Sequence, residues 1–187
     1  MQKNLKFLLL ILIFILILFI SIYENLLFQK KDYIFGTTVD IKIYGESKKL
    51  ASEASKEILS NFNNLHHMLH PWREGLVFEI NEAIQNETPY FLENQEVISL
   101  IRRGQEYEKQ TKGYFNPAIG KLVSLWGFHS EVPRKVMPDA RSISRLVEAK
   151  PSMGNIKIAN NILSSTNKFV KVDMGGYAKG YALDQAK

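Results

Sequence analysis

A chain of 187 residues with 45% hydrophobic and 11% aromatic side chains has enough apolar material for one globular core, which excludes a disordered or low-complexity protein. Its formal charge of +5 is dispersed along the chain, which argues against nucleic acid as a partner. Cysteine is absent, which excludes disulfides, thiolate metal sites, a cysteine nucleophile and a lipidated N-terminal cysteine.

The first predicted element is an apolar run. Residues 7–22 are Phe, Leu and Ile apart from Ser21, and they follow Lys3 and Lys6. As a helix the run rises about 24 Å, and with Leu5 and Tyr23 it approaches the ~30 Å hydrocarbon core of a bilayer. No small-x-small cleavage pattern follows it, so an uncleaved single-pass anchor is expected rather than a signal peptide. Lysines before the run and Glu24 after it orient the N-terminus to the cytoplasm, which places the rest of a bacterial chain in the periplasm at the inner membrane. Residues 1–28 are then anchor and short tether, the tether running on to Lys31, and residues 29–187 form the folded part.

Residues 33–44 alternate apolar and polar toward Gly45, as a strand does. Between residues 47 and 69, Leu50, Ala54, Ile58, Phe62, Leu65 and Leu69 recur every three or four positions, the stripe of an amphipathic helix that Pro71 ends. A second helix is expected over residues 93–112, closed by Gly113. Residues 115–128 read as a loop with a short helical stretch, and Pro138-Asp139 starts a helix that runs to about Ala149. Three short antiparallel strands are expected over residues 155–159, 162–165 and 168–172, turning at Asn160-Asn161 and Asn167-Lys168. Gly175-Gly176 breaks the pattern, and residues 177–187 resume it as a helix. Strands and helices without regular alternation indicate an α+β fold.

Chemistry concentrates where a strand passes through two glycines into that last helix. Paired glycines let backbone N–H groups approach a ligand, a helix N-terminus suits phosphate, and Lys179 lies one turn in. By itself such a junction is also ordinary connection geometry, and its spacing matches neither the P-loop nor the dinucleotide fingerprint. His66 and His70 share a helix face beside His67, but a third ligand and the glutamate of a zinc-protease motif are missing, so packed or solvated histidines are the better reading.

Five motifs occur together in order: Phe35-Gly36-Thr37-Thr38; Trp72 followed by Ile80-Asn81; Gly113-Tyr114-Phe115-Asn116-Pro117-Ala118-Ile119-Gly120; Leu125-Trp126-Gly127-Phe128; and the Asp173-x-Gly175-Gly176-x-Ala178-Lys179-Gly180-Tyr181-Ala182-x-Asp184 segment. In this the chain resembles the FAD:protein FMN transferases, the ApbE family, over residues 33–187. The resemblance implies an enzyme that cleaves FAD with Mg²⁺ and attaches FMN to a Thr or Ser of a target protein. It implies flavin contacts at Phe35, Trp72, Tyr114, Phe115, Asn116, Asp173 and Lys179, with Lys179 also catalytic and Gly176 offering a backbone carbonyl to the metal. Trp126 and Phe128 read as wall or packing residues, and Asp184 as a water-mediated metal contact or a solvated carboxylate. A homodimer is one arrangement open to such a chain. Phe35 stands where the family commonly has Met, and Asn116 where it has Asp. Family members are nearly twice this length, and an Asp and a Thr in their C-terminal half complete the metal site. The chain alone is therefore expected to transfer FMN slowly or not at all, and the alternative is a truncated, non-catalytic flavin-binding remnant anchored in the membrane.

Overall fold

A two-residue turn sets the beginning of the fold. In the computed structural model, which describes residues 7–18, 27–130 and 137–186, Phe35 and Gly36 take φ of 56° and 69°. Two left-handed residues in succession match the twist of a hairpin, so the chain reverses there. Strands β1 (Leu27–Ile34) and β2 (Thr37–Tyr44) pair antiparallel from Leu27 opposite Tyr44 to Ile34 opposite Thr37. Gln29 donates to both carboxylate oxygens of Asp40 across the hairpin, at 2.8 and 2.9 Å. The segment expected to be a tether thus already belongs to a strand from Leu27, because Phe35-Gly36 is a turn rather than the middle of one strand.

The chain divides into two compact units, residues 1–63 and 64–187. The first holds the hairpin, a helix α1 over residues 7–18, and most of α2 (Lys48–Met68). The rest of the apolar run, residues 19–22, lies outside the described residues. Among those described, no helix is long and apolar enough to cross a membrane. The expected stripe is buried at Phe62, Leu65 and Leu69, but on the first turns of α2 it is shifted: Leu50 is 54% exposed and Ala54 is exposed, while Ala51, Ser55 and Leu59 are buried. Ser55 can turn inward because its hydroxyl donates to the Ser52 carbonyl at 2.9 Å, leaving no unpaired polar group.

The second unit contains the remaining elements. After Pro71 come α3 (Leu76–Gln85) and the two-residue β3 (Tyr90–Phe91), neither expected from the sequence. Next follow α4 (Gln95–Gln110), α5 (Gly120–Leu125) and α6 (Ala140–Glu148), close to the expected positions. Asn94 caps α4 by accepting from Val97 N–H at 2.9 Å, and Asp139 caps α6 by accepting from Ser142 N–H at 2.9 Å. Strands β4 (Ile156–Ala159) and β5 (Ile162–Ser165) form a hairpin at Asn160-Asn161, both at positive φ, and the antiparallel sheet runs β3-β5-β4. Helix α7 spans Ala178–Gln185. The mixed strand-and-helix class is therefore as expected.

One expected strand is absent. Over residues 168–172 only Lys171 bridges, parallel to Ile119. Asn167 explains the departure: its side chain accepts from Phe169 N–H at 2.9 Å and donates to the Ala149 carbonyl at 2.8 Å, turning the chain out of the sheet.

Candidate functional site

The candidate site is built on residues 171–173, which are held from both edges. Lys171 N–H donates to Ala118 O at 3.0 Å, Gly120 N–H to Lys171 O at 2.9 Å, and Asp173 N–H to Pro117 O at 2.8 Å. Val172, facing the opposite way as alternate residues of an extended segment do, meets Asn81. The buried Asn81 of α3 donates to Val172 O at 2.9 Å and accepts from Val172 N–H at 2.7 Å. A side-chain amide thus supplies the pairing that a neighbouring strand would. Gly120 permits the approach, since a Cβ there would sit 2.7 Å from the Lys171 carbonyl oxygen.

This register delivers Asp173 to the mouth of α7. Its Oδ1 accepts from Gly175 N–H at 2.9 Å, a local turn that aims the chain into the helix. Burial raises the Asp173 carboxyl above its usual range, and the Gly175 N–H opposes that only in part. Helix α7 has no side-chain cap; the N–H groups of Tyr177 and Ala178 turn back to Met174 O at 3.0 and 2.8 Å, and Lys179 lies exposed in the first turn.

The loop after α4 comes alongside. A Cβ on Gly176 would fall 2.8 Å from Phe115 Cε2, so the glycine lets the far edge of that ring come up to the backbone. Phe115, Tyr107 and Tyr177 form a triangle of edge-to-face rings with centroids 5.6 to 6.2 Å apart. The Tyr177 hydroxyl donates to Leu100 O at 2.9 Å, and burial, with Tyr107 and Asp173 nearby, pushes its pKa up. Asn116 is engaged by the fold, donating to Pro151 O at 2.7 Å and accepting from Ala118 N–H at 2.8 Å. A groove of about 780 Å³ opens here between α4 and α7, with Arg103, Tyr107 and Thr111 on one wall and Gly176, Tyr181 and Asp184 on the other.

A profile of the ApbE family matches residues 35–187. The chain belongs to the ApbE family. A protein of Rhodobacter capsulatus named FAD:protein FMN transferase is 28% identical to this ApbE-family chain over 155 residues, covering 83% of the chain and 29% of that protein. A Vibrio cholerae protein of the same name is 25% identical over 154 residues, covering 80% and 44%. Among solved structures, the ApbE protein of Thermotoga maritima superposes with a TM-score of 0.75 at 26% identity, covering 86% of this chain and 51% of that one. The flavin transferase ApbE from Vibrio cholerae gives 0.71 at 22% identity, which speaks for the fold. The chain thus spans about half the length of these solved relatives, and less of the curated ones.

Of the residues singled out in the sequence, the second unit brings Phe115, Asn116, Asp173 and Gly176 together, with Lys179 one helical turn on. Tyr114 is 95% exposed at the edge of the same loop. Phe35 belongs to the first unit, where its ring lies 6.0 Å from that of Phe62. Trp72 sits in the turn after α2, between His70 and His129, and its buried indole N–H has no hydrogen-bond partner among the described residues. Asn81 stood in a motif without a role, and two groups were not singled out: the Tyr177 ring and the α4 wall. Arg103, Tyr107 and Thr111 fall four residues apart on α4, a spacing that places them on one face and was available as a signal.

Proposed function

We propose that the chain acts as a flavin transferase, taking the FMN half of FAD and attaching it to a Thr or Ser hydroxyl of a target protein with the help of Mg²⁺. The observation that carries this reading is the junction of the Asp173–Gly176 turn with the Phe115 loop at the uncapped start of α7, in a chain whose relatives bear the name FAD:protein FMN transferase. A site for FAD needs anion-binding backbone, a flat apolar surface and a polar group for the ring or ribose. The uncapped helix start, the Phe115 and Trp72 rings, and the half-buried Asp173 carboxylate are of those kinds. Magnesium takes hard oxygen ligands, and Gly176 and Asp184, which could offer a backbone carbonyl and a carboxylate, line the groove between α4 and α7. Among the described residues no group of three or more metal-ligating side chains gathers, so phosphate and water oxygens would complete the coordination.

When bound, the ion neutralises charge on the pyrophosphate. In the reaction the acceptor hydroxyl oxygen bonds to the FMN phosphorus and gives up its proton to solvent. The bridging P–O bond breaks, and AMP leaves with the bridging oxygen. Lys179 would offset the charge that builds on that leaving phosphate, and Asp173 would orient the flavin half by accepting from it. The N-terminal apolar run would hold this activity at the periplasmic face of an inner membrane, a reading supported by Lys3 and Lys6 ahead of it.

The test incubates the chain with FAD, Mg²⁺ and a Thr-containing acceptor, alone and together with a polypeptide supplying the rest of the family fold. Covalent flavin fluorescence on the acceptor is read after denaturing electrophoresis. Labelling in the completed system, lost with a chelator and with Lys179→Ala, is the expected result. FAD binding without labelling in that system selects a non-catalytic flavin-binding protein, and no FAD binding in either sinks both.

A further inference from the structure

The sequence contains four histidines; His70 and His129 flank Trp72, and His66 and His67 follow from His70 in a chain of ring contacts. Ring centroids are 5.6 Å apart for His66 and His67, 5.5 Å for His66 and His70, 6.2 Å for His70 and Trp72, and 5.9 Å for Trp72 and His129. His70 does more than touch. Its Nδ1 accepts from the backbone N–H of Trp72 at 3.2 Å and of Arg73 at 3.1 Å, closing the turn that follows α2. Such a bond pattern is ordinarily made by Ser, Asp or Asn, whose oxygens accept at neutral pH. An imidazole nitrogen accepts only while it carries a lone pair, so His70 is neutral here with its proton on Nε2. The turn has little slack, because a Cβ on Gly75 would lie 2.1 Å from the His67 carbonyl oxygen.

We propose that His70 is a positioning residue for Trp72, fixing the indole while its imidazole is neutral and releasing the turn when the medium acidifies. Protonation converts Nδ1 from an acceptor into a donor that faces two N–H groups, so both bonds are lost together. The groups facing His70 all favour the neutral form. His66 and His67 act on it from α2 and Arg73 from the turn itself, while His129 lies beyond Trp72 on the loop after α5. Burial and these neighbours hold the His70 pKa below its ordinary 6.5, so the release comes on the acid side of that value. A consequence for ligand binding rests on Trp72 being a flavin contact; the opening of the turn does not.

The decisive measurement follows the backbone amide resonances of Trp72 and Arg73 in the full ¹⁵N-labelled chain, without ligand, from about pH 8 to about pH 5. Both are expected to move together with the His70 imidazole, with a common midpoint below 6.5. In His70→Asn the side-chain oxygen accepts the same bonds and does not titrate, so the neutral-pH positions are retained and the movement disappears. His70→Ala is expected to show the acid positions throughout. Movement that persists in His70→Asn, or His70→Ala amides that match the native ones at neutral pH, overturns the proposal. In a parallel arm, FAD affinity falls roughly three- to tenfold toward acid in the native chain and less than about twofold in His70→Asn. Amides that obey His70 while FAD affinity ignores it would uphold the positioning role and remove Trp72 from the flavin site.

Discussion

Asn81 is buried on α3 with both ends of its amide committed to Val172, so truncating it strands one N–H and one carbonyl away from water. Asn81→Ala is expected to cost about 2–4 kcal/mol, the penalty of two unsatisfied buried groups, read as a lower urea midpoint with unchanged slope. Asn81→Asp should do no better, since it removes the donor to Val172 O and buries a charge. Asp173 carries the opposite balance. Its carboxyl is raised by burial above the unfolded value of 3.8, so folding favours the protonated form more than the unfolded chain does. The corresponding stability is present below that value and is lost as pH rises through the folded pKa, leaving the ionised group destabilising near neutrality. Asp173→Asn keeps an acceptor for the Gly175 N–H and drops the charge. Its melting temperature should exceed the native one at neutral pH, with the gap closing toward acid, while FAD binding weakens. A native chain that melts higher at neutral pH would mean that the carboxylate is not held against its preference, and would weaken its assignment to the site.

Between elements, the decisive contacts are close approaches of backbone. Gly120 and Gly176 both lack room for a side chain, but they meet different obstacles. At Gly120 a Cβ would run into the Lys171 carbonyl, and the segment cannot yield without breaking the bridge that sets the Asp173 register. At Gly176 the obstacle is the far edge of the Phe115 ring, which can tilt at the expense of the aromatic triangle. Gly120→Ala should therefore be the more destabilising, by about 2–4 kcal/mol against about 1–2 for Gly176→Ala, while Gly176→Ala takes the larger share of lost FAD affinity. Chemical denaturation and flavin titration of the two variants check the order, and the reverse order would show that the 117–120 and 171–173 segments are not rigidly coupled. The α4 face works by the same logic: its Arg103, Tyr107 and Thr111 become a wall because α7 lies opposite them.

For the whole molecule, the proposed anchoring predicts that the chain stays with the membrane through high-salt and carbonate washing, while a version starting at Leu27, which keeps β1 whole, is released. Recovery of a shortened, processed form from the periplasm would count against it. The sequence by itself determined the α+β class, the family over all five motifs, α4, α6 with its start at Pro138-Asp139, and the β4-β5 hairpin at Asn160-Asn161. Those features rest on periodicity, capping and turn chemistry, which act over a few residues and so can be read locally. The tertiary structure alone decided that Ser55 turns inward while Leu50 stays out. It also decided that residues 168–172 leave the sheet, and that Val172 pairs with Asn81 across 91 residues of chain. A hydrogen bond between groups so far apart leaves no period in the sequence. Its cause is the obligation of a buried peptide group to find a partner, and only the assembled fold shows which partner is within reach.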